Sequence, residues 1–120
     1  MPALNRFEGR RILVLEDDYW IVLDLVRELT ENGAEVVGPF GNIDQALAAI
    51  EDNAAIDGAI LDVNVQGLEA FGIADILLSR DIPVVFATGY AVSDIPATYS
   101  GVPVFQKPVD VTAITNALLS

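Results

Sequence analysis

The feature that most limits what this chain can become is a repeated change of period. Five short apolar runs alternate with stretches whose apolar residues return at helical spacing. Arg11 to Leu15 is β-branched and leucine-rich. After Glu16-Asp17-Asp18 the pattern turns helical, with Ile21, Val22, Leu25, Val26 and Leu29 on one face and Asn32-Gly33 as its stop. Glu35 to Val37 reads as a second strand closed by Gly38-Pro39. Asn42 and Gln45 have capping-box spacing ahead of a helix carrying Ile43, Ala46, Leu47 and Ile50. Ala59 to Leu61 is a third strand that delivers Asp62 at its end, with Asn64 and Gly67 leading away in a loop. A compact helix with Ala70, Ile73, Ala74 and Leu77 follows, ending near Ser79-Arg80-Asp81. Pro83 to Ala87 is a fourth strand and Val104 to Gln106 a fifth. Asp110 caps a final helix bearing Val111, Ile114 and Leu118.

Strands this uniformly apolar belong to a parallel sheet covered on both faces, and right-handed crossovers wind it in two directions. The expected fold is α/β, a flavodoxin-like doubly wound five-stranded parallel sheet in the order 2-1-3-4-5, with any site outside the carboxyl ends of the strands. Tyr90 to Pro103 breaks the alternation. Pro96, Gly101 and Pro103 punctuate it, so a loop with at most one helical turn between Asp94 and Tyr99 is expected, and the fourth helix is short or absent. Residues 1–9 read as a loose start. With 120 residues the chain is expected to form one domain with no output domain after Ser120, either standing alone or as a fragment of a longer protein.

Composition removes whole classes of chemistry. Neither Cys nor His occurs, which excludes disulfides, thiolate catalysis, imidazole acid–base work and His- or Cys-ligated metals. Eighteen acidic residues against six basic ones give a net charge of −12, and Arg10-Arg11 is too small a basic pair to bind nucleic acid. No apolar stretch approaches a membrane span, and the first eleven residues lack a signal core, so a cytoplasmic protein is expected.

What remains is carboxylate, hydroxyl, amine and backbone, and it gathers behind the strands. The first strand is followed by Glu16 and Asp17, the third ends at Asp62, the fourth leads to Thr88, and the fifth to Lys107, the sole lysine. Taken singly, such acids are ordinary helix caps or solvated loop charges, and Asp18 reads as the cap of the first helix. As a group they repel one another unless a cation intervenes, and oxygen-only ligands favour Mg²⁺. Asp17 and Asp62 would hold the ion, with the Asn64 backbone carbonyl and, through water, Glu16. Asp62 is the candidate nucleophile toward a phosphoryl group, Lys107 and Thr88 the contacts to its oxygens, and Gly89 leaves the backbone beside them open.

Ile12 to Asp18, Leu61 to Asn64, Thr88-Gly89 and Lys107-Pro108 together resemble the receiver domain of two-component response regulators, over essentially the whole chain. The resemblance implies that Asp62 accepts phosphate from a sensor histidine kinase. It also implies that Thr88 acts as conformational switch, that the Lys107-Pro108 bond is cis, and that a downstream protein reads the 90–107 region. A monomer or weak dimer is expected. Phe86-Ala87-Thr88-Gly89-Tyr90 is similar to a subgroup in which a loop replaces the fourth helix. One departure is Val104, where the family carries Tyr or Phe as a rotamer switch. Tyr90 or Tyr99 could stand in, with packing as the other reading for each, and Val104 and Phe105 belong to the same candidate signalling face.

Three other functions fit the sequence less well. A Mg²⁺-dependent phosphohydrolase with an Asp nucleophile would want a second carboxylate where Asn64 stands. A flavin or nucleotide module would want a phosphate-cradling first loop, and this one is acidic. A receiver-shaped scaffold that is never phosphorylated draws support only from Val104 and the 90–103 segment.

Overall fold

The computed structural model describes residues 7–52, 55–89 and 94–119. In chain order the elements are β1 (Arg11–Leu15), α1 (Tyr19–Glu31), β2 (Glu35–Phe40), α2 (Ile43–Glu51), β3 (Gly58–Asp62), β4 (Asn64–Val65), β5 (Leu68–Glu69), α3 (Phe71–Ser79), β6 (Val84–Thr88), β7 (Val104–Gln106) and α4 (Val111–Leu119). β2, β1, β3, β6 and β7 form one sheet in that order, every pair parallel. Counted among sheet strands alone, this is the expected 2-1-3-4-5. Between β6 and β7 the described residues hold only 3-10 structure, with a turn over Ala97–Tyr99. No helix among the described residues is long and apolar enough to cross a membrane.

Alternation along the strands splits the core in two. Leu13, Leu15, Ala59, Leu61, Val84 and Phe86 pack with α2 and α3. Ile12, Val14, Ile60, Val85 and Ala87 pack with α1 and α4 through Leu25, Leu29, Ile114 and Leu118. Every residue of β3 and β6 is buried, so these two strands, side by side in the sheet, form a rigid platform for whatever follows them. The helices start where short polar side chains satisfy their first amides: Asp18 accepts from Trp20 and Ile21, Asn42 from Gln45, and Asp110 from Ala113.

Two expectations fail. Gly38-Pro39 does not close β2. The strand runs on to Phe40, its register against β1 slipping between Leu13 and Leu15. Proline is tolerated there because β2 is an edge strand and the slip absorbs the missing donor. Of the loose start expected over residues 1–9, residues 1–6 lie outside the described residues, but Phe7 is held in place. Its ring is buried in the α1/α4 core and its amide donates to the Asn32 carbonyl at 2.8 Å.

Tyr99 ties the segment before β7 to α3. Its ring is stacked on Phe71 at 4.9 Å and meets Phe86 edge-on at 5.7 Å, and its hydroxyl donates to Asp75 Oδ1 at 2.6 Å. That hydrogen bond and burial push the phenol up to about 12. Because the folded state holds this proton more tightly, the stability it contributes is intact below pH 10 and drains away between pH 10 and about 12. Tyr99→Phe should cost about 1 kcal/mol at pH 8 and flatten the alkaline slope, read by urea unfolding at pH 8 and at about pH 11.

Candidate functional site

Strand periodicity explains which polar groups meet. Glu16 is two residues past Val14, Asp62 two past Ile60 and Lys107 two past Phe105, so all three side chains leave the sheet on its α1/α4 side. They converge. Lys107 Nζ donates to Glu16 Oε2 and to Asp62 Oδ2, each at 3.0 Å. Glu16 and Asp62 are 2% and 3% exposed, so this amine sets a single positive charge between two carboxylates that water hardly reaches. The Asn64 amide donates to Asp62 Oδ1 at 3.1 Å, and the Asp18 amide to Glu16 Oε2 at 3.0 Å. Asp17 is exposed at the rim, its Oδ2 accepting from the Gln66 amide at 3.0 Å. Thr88 is buried at the end of β6, where its carbonyl accepts from the Lys107 amide at 2.7 Å. The Lys107-Pro108 bond is cis, as the resemblance implies.

Carboxylate oxygens of Glu16, Asp17 and Asp62 lie within 4.8 Å of one another. Burial, then the neighbouring Asp62 charge, raise the Glu16 carboxyl to about 7, although its bonds to Asp18 and Lys107 pull the other way. Lys107 is opposed by burial, but its bonds to Asp62 and Glu16 outweigh this and raise it above its ordinary value. Glu16 Oε1 is buried without a hydrogen-bond partner. A divalent cation fits all of this: three converging oxygens, a surplus of negative charge and one orphaned acceptor.

The raised Glu16 carboxyl has a testable consequence for the metal-free protein. The folded state binds that proton more tightly than the unfolded chain, so its contribution to stability is complete below pH 4.5 and is lost as pH rises to about 7. For Glu16 alone the loss is at most about 3 kcal/mol. Unfolding in EDTA at pH 5 and pH 8 should show it, and Glu16→Gln should abolish that difference.

No protein-family model matches the sequence. SdrG from Sphingomonas melonis Fr1 is 35% identical, with 92% of this chain and 97% of that one covered and a TM-score of 0.70. The BeF3-activated conformation of SdrG, attributed to Pseudomonas melonis Fr1, is 38% identical over 100% of both chains, with a TM-score of 0.74. A response regulator receiver protein from Sinorhizobium medicae WSM419 shares the fold, with a TM-score of 0.79 at 24% identity over 92% of each chain. The transcriptional regulatory protein PdtaR of Mycobacterium tuberculosis is 32% identical over 87 residues, 72% of this chain. The chain belongs to the response-regulator receiver family. Its function is that of a receiver, a phosphoacceptor in two-component signalling. It spans 42% of the length of PdtaR.

Other expected receiver positions are placed less decisively. A Cβ at Gly89 would meet nothing within 4 Å, so no crowding demands glycine there. Tyr90 lies outside the described residues. Val104 and Phe105 are half-buried on opposite faces of β7, Val104 toward α2 and α3, Phe105 toward α1 and α4. With Ile95, Pro96, Tyr99 and Val102, Val104 lines an open groove of about 370 Å³. Tyr19 and Trp20 are exposed, as surface residues of α1.

Sequence reading missed the β4–β5 hairpin and, with it, Gln66. Its strands are two residues each, too short to show alternation, and Gln-Gly is a weaker turn signal than Asn-Gly.

Proposed function

We propose that Asp62 is the residue of this receiver that takes the phosphoryl group, from a phosphohistidine of a sensor histidine kinase. An Asp62 oxygen bonds to phosphorus as the phosphorus–nitrogen bond breaks. The products are an acyl phosphate on Asp62 and an imidazole whose released nitrogen takes up a proton. The Lys107 amine supports this assignment most directly, because it holds the acceptor carboxylate at 3.0 Å while remaining close enough to meet an incoming oxygen. Asp17 and Asp62 would hold Mg²⁺, with the Asn64 carbonyl and, through water, Glu16. When bound, the ion supplies charge neutralisation to the phosphoryl oxygens. Thr88 and Lys107 contact those oxygens, and Gly89 keeps the adjoining backbone unobstructed.

Thr88 also gives the site its outlet. It lies two residues beyond Phe86, whose ring touches Tyr99, so a shift of Thr88 toward the phosphoryl group is felt by the segment before β7. The surface read by a downstream protein is then 90–107, including Tyr90, Tyr99, Val104 and Phe105. The protein works in the cytoplasm as a regulatory phosphoacceptor, its receiver domain acting as a monomer or weak dimer. The relative SdrG has a BeF3-activated conformation, which is consistent with an acceptor site of this kind in the family. Acetyl phosphate with Mg²⁺ should add one phosphoryl group per chain, seen as intact mass, and EDTA should prevent it. Labelling that is indifferent to EDTA would contradict the metal-assisted reading.

A further inference from the structure

The turn between β4 and β5 departs from ordinary backbone geometry. Val65 pairs with Leu68, and the two residues between them, Gln66 and Gly67, both have positive φ, 52° and 83°. That is the geometry of a type I′ hairpin, which glycine adopts freely and glutamine does not. The turn is nevertheless pinned. Val65 is buried at its base, and Asn64 Oδ1 accepts from the Gly67 amide at 3.1 Å. What the geometry delivers is the Gln66 amide, aimed at Asp17 Oδ2 at 3.0 Å from 49 positions away in the chain. Asn64, at the hairpin's start, donates its own amide to Asp62 Oδ1. One short hairpin therefore contacts two carboxylates that arrive from different strands.

We propose that this hairpin positions the Mg²⁺ ligands, the Gln66 main-chain N–H holding Asp17 in the orientation that faces Asp62. The inference rests on Asp17 and Asp62 being the metal ligands. The role belongs to the amide and to the left-handed backbone that presents it, not to the glutamine side chain. Partners behind a metal-bound group fix its direction, and losing one weakens metal affinity by about 10- to 100-fold.

Substitutions that differ in tolerance of positive φ separate this from simple packing. Gln66→Gly and Gln66→Asn keep the amide and the backbone and should bind Mg²⁺ as wild type does. Gln66→Val and Gly67→Val should bind about 10- to 100-fold more weakly, and Gly67→Asn should restore binding. A Cβ at Gly67 would meet nothing within 4 Å, so valine there acts through the backbone and not through a clash. Magnesium chloride titrations can be followed by Trp20, whose amide bonds to Asp18, and by the ¹H–¹⁵N signal of residue 66. In the wild type, protection of that amide from hydrogen exchange should rise with Mg²⁺, and in Asp17→Asn it should not. This second measurement decides the matter even where a valine chain fails to fold. Equal affinity in folded glycine, asparagine and valine chains, or a residue-66 amide indifferent to Mg²⁺, overturns the proposal. If Asp17→Asn binds weakly while every hairpin chain binds normally, only the hairpin's role falls. If Asp17→Asn binds as tightly as wild type, the ligand assignment falls with it.

Discussion

Asp62→Asn takes up no phosphoryl group from acetyl phosphate and Mg²⁺ under conditions in which the wild-type chain takes one. The amide matches the carboxylate in shape, and its oxygen can still accept from the Asn64 amide or from Lys107. What it lacks is the anionic oxygen that attacks phosphorus, together with one of three negative charges around the cation site. Loss of labelling therefore comes with an intact fold. Stability of the metal-free variant should even increase at neutral pH, by about 1 kcal/mol, because Asp62 is one of the charges that disfavour ionised Glu16. Intact mass and urea unfolding on the same sample separate lost chemistry from lost structure. A variant that labels normally places the acceptor elsewhere.

Lys107→Ala should do the reverse, permitting some labelling while damaging the fold. Glu16 and Asp62 would face each other almost out of reach of water with no cation between them. Breaking a buried pair by removing one partner costs about 3 kcal/mol or more, whereas losing an exposed pair costs under about 1 kcal/mol. The size of the effect thus reports how buried the cluster is. The loss should be largest in EDTA above pH 7 and shrink as pH falls through about 7, where Glu16 takes up its proton. It should shrink again on adding Mg²⁺, which replaces the missing positive charge. A loss below about 1 kcal/mol in EDTA would mean that the amine does not hold the site together. The variant should also uncouple phosphorylation from the 94–103 segment, whose hydrogen exchange would no longer respond to the phosphodonor.

Much of this site is legible in the sequence because it follows from two rules. Parallel strands point the same way, so whatever terminates them gathers at one edge, and alternation places Glu16, Asp62 and Lys107 on one side of that edge. Those rules need only the strand register, which continuous apolar runs reveal. The features that escape sequence reading depend on contacts between distant segments. Phe7 is a single aromatic residue among polar neighbours, and only the Asn32 carbonyl and the α1/α4 core make it part of the fold. Gly38-Pro39 punctuates most strands to a close, and only an edge position with a slipped register lets β2 continue through it. The Tyr99–Asp75 bond joins residues 24 apart and leaves no local pattern. Gln66 is hidden for a further reason: its function is carried by a main-chain amide, and the side chain printed in the sequence plays no part in it.

The most direct measurement is chemical. Borohydride reduces an aspartyl phosphate to homoserine, so treating the chain after acetyl phosphate and Mg²⁺, then digesting it and sequencing the peptides, reads the acceptor position by mass. Homoserine at position 62, absent when EDTA replaces Mg²⁺, is the predicted result. An unaltered Asp62 in a chain that has nonetheless gained a phosphoryl group would contradict the account.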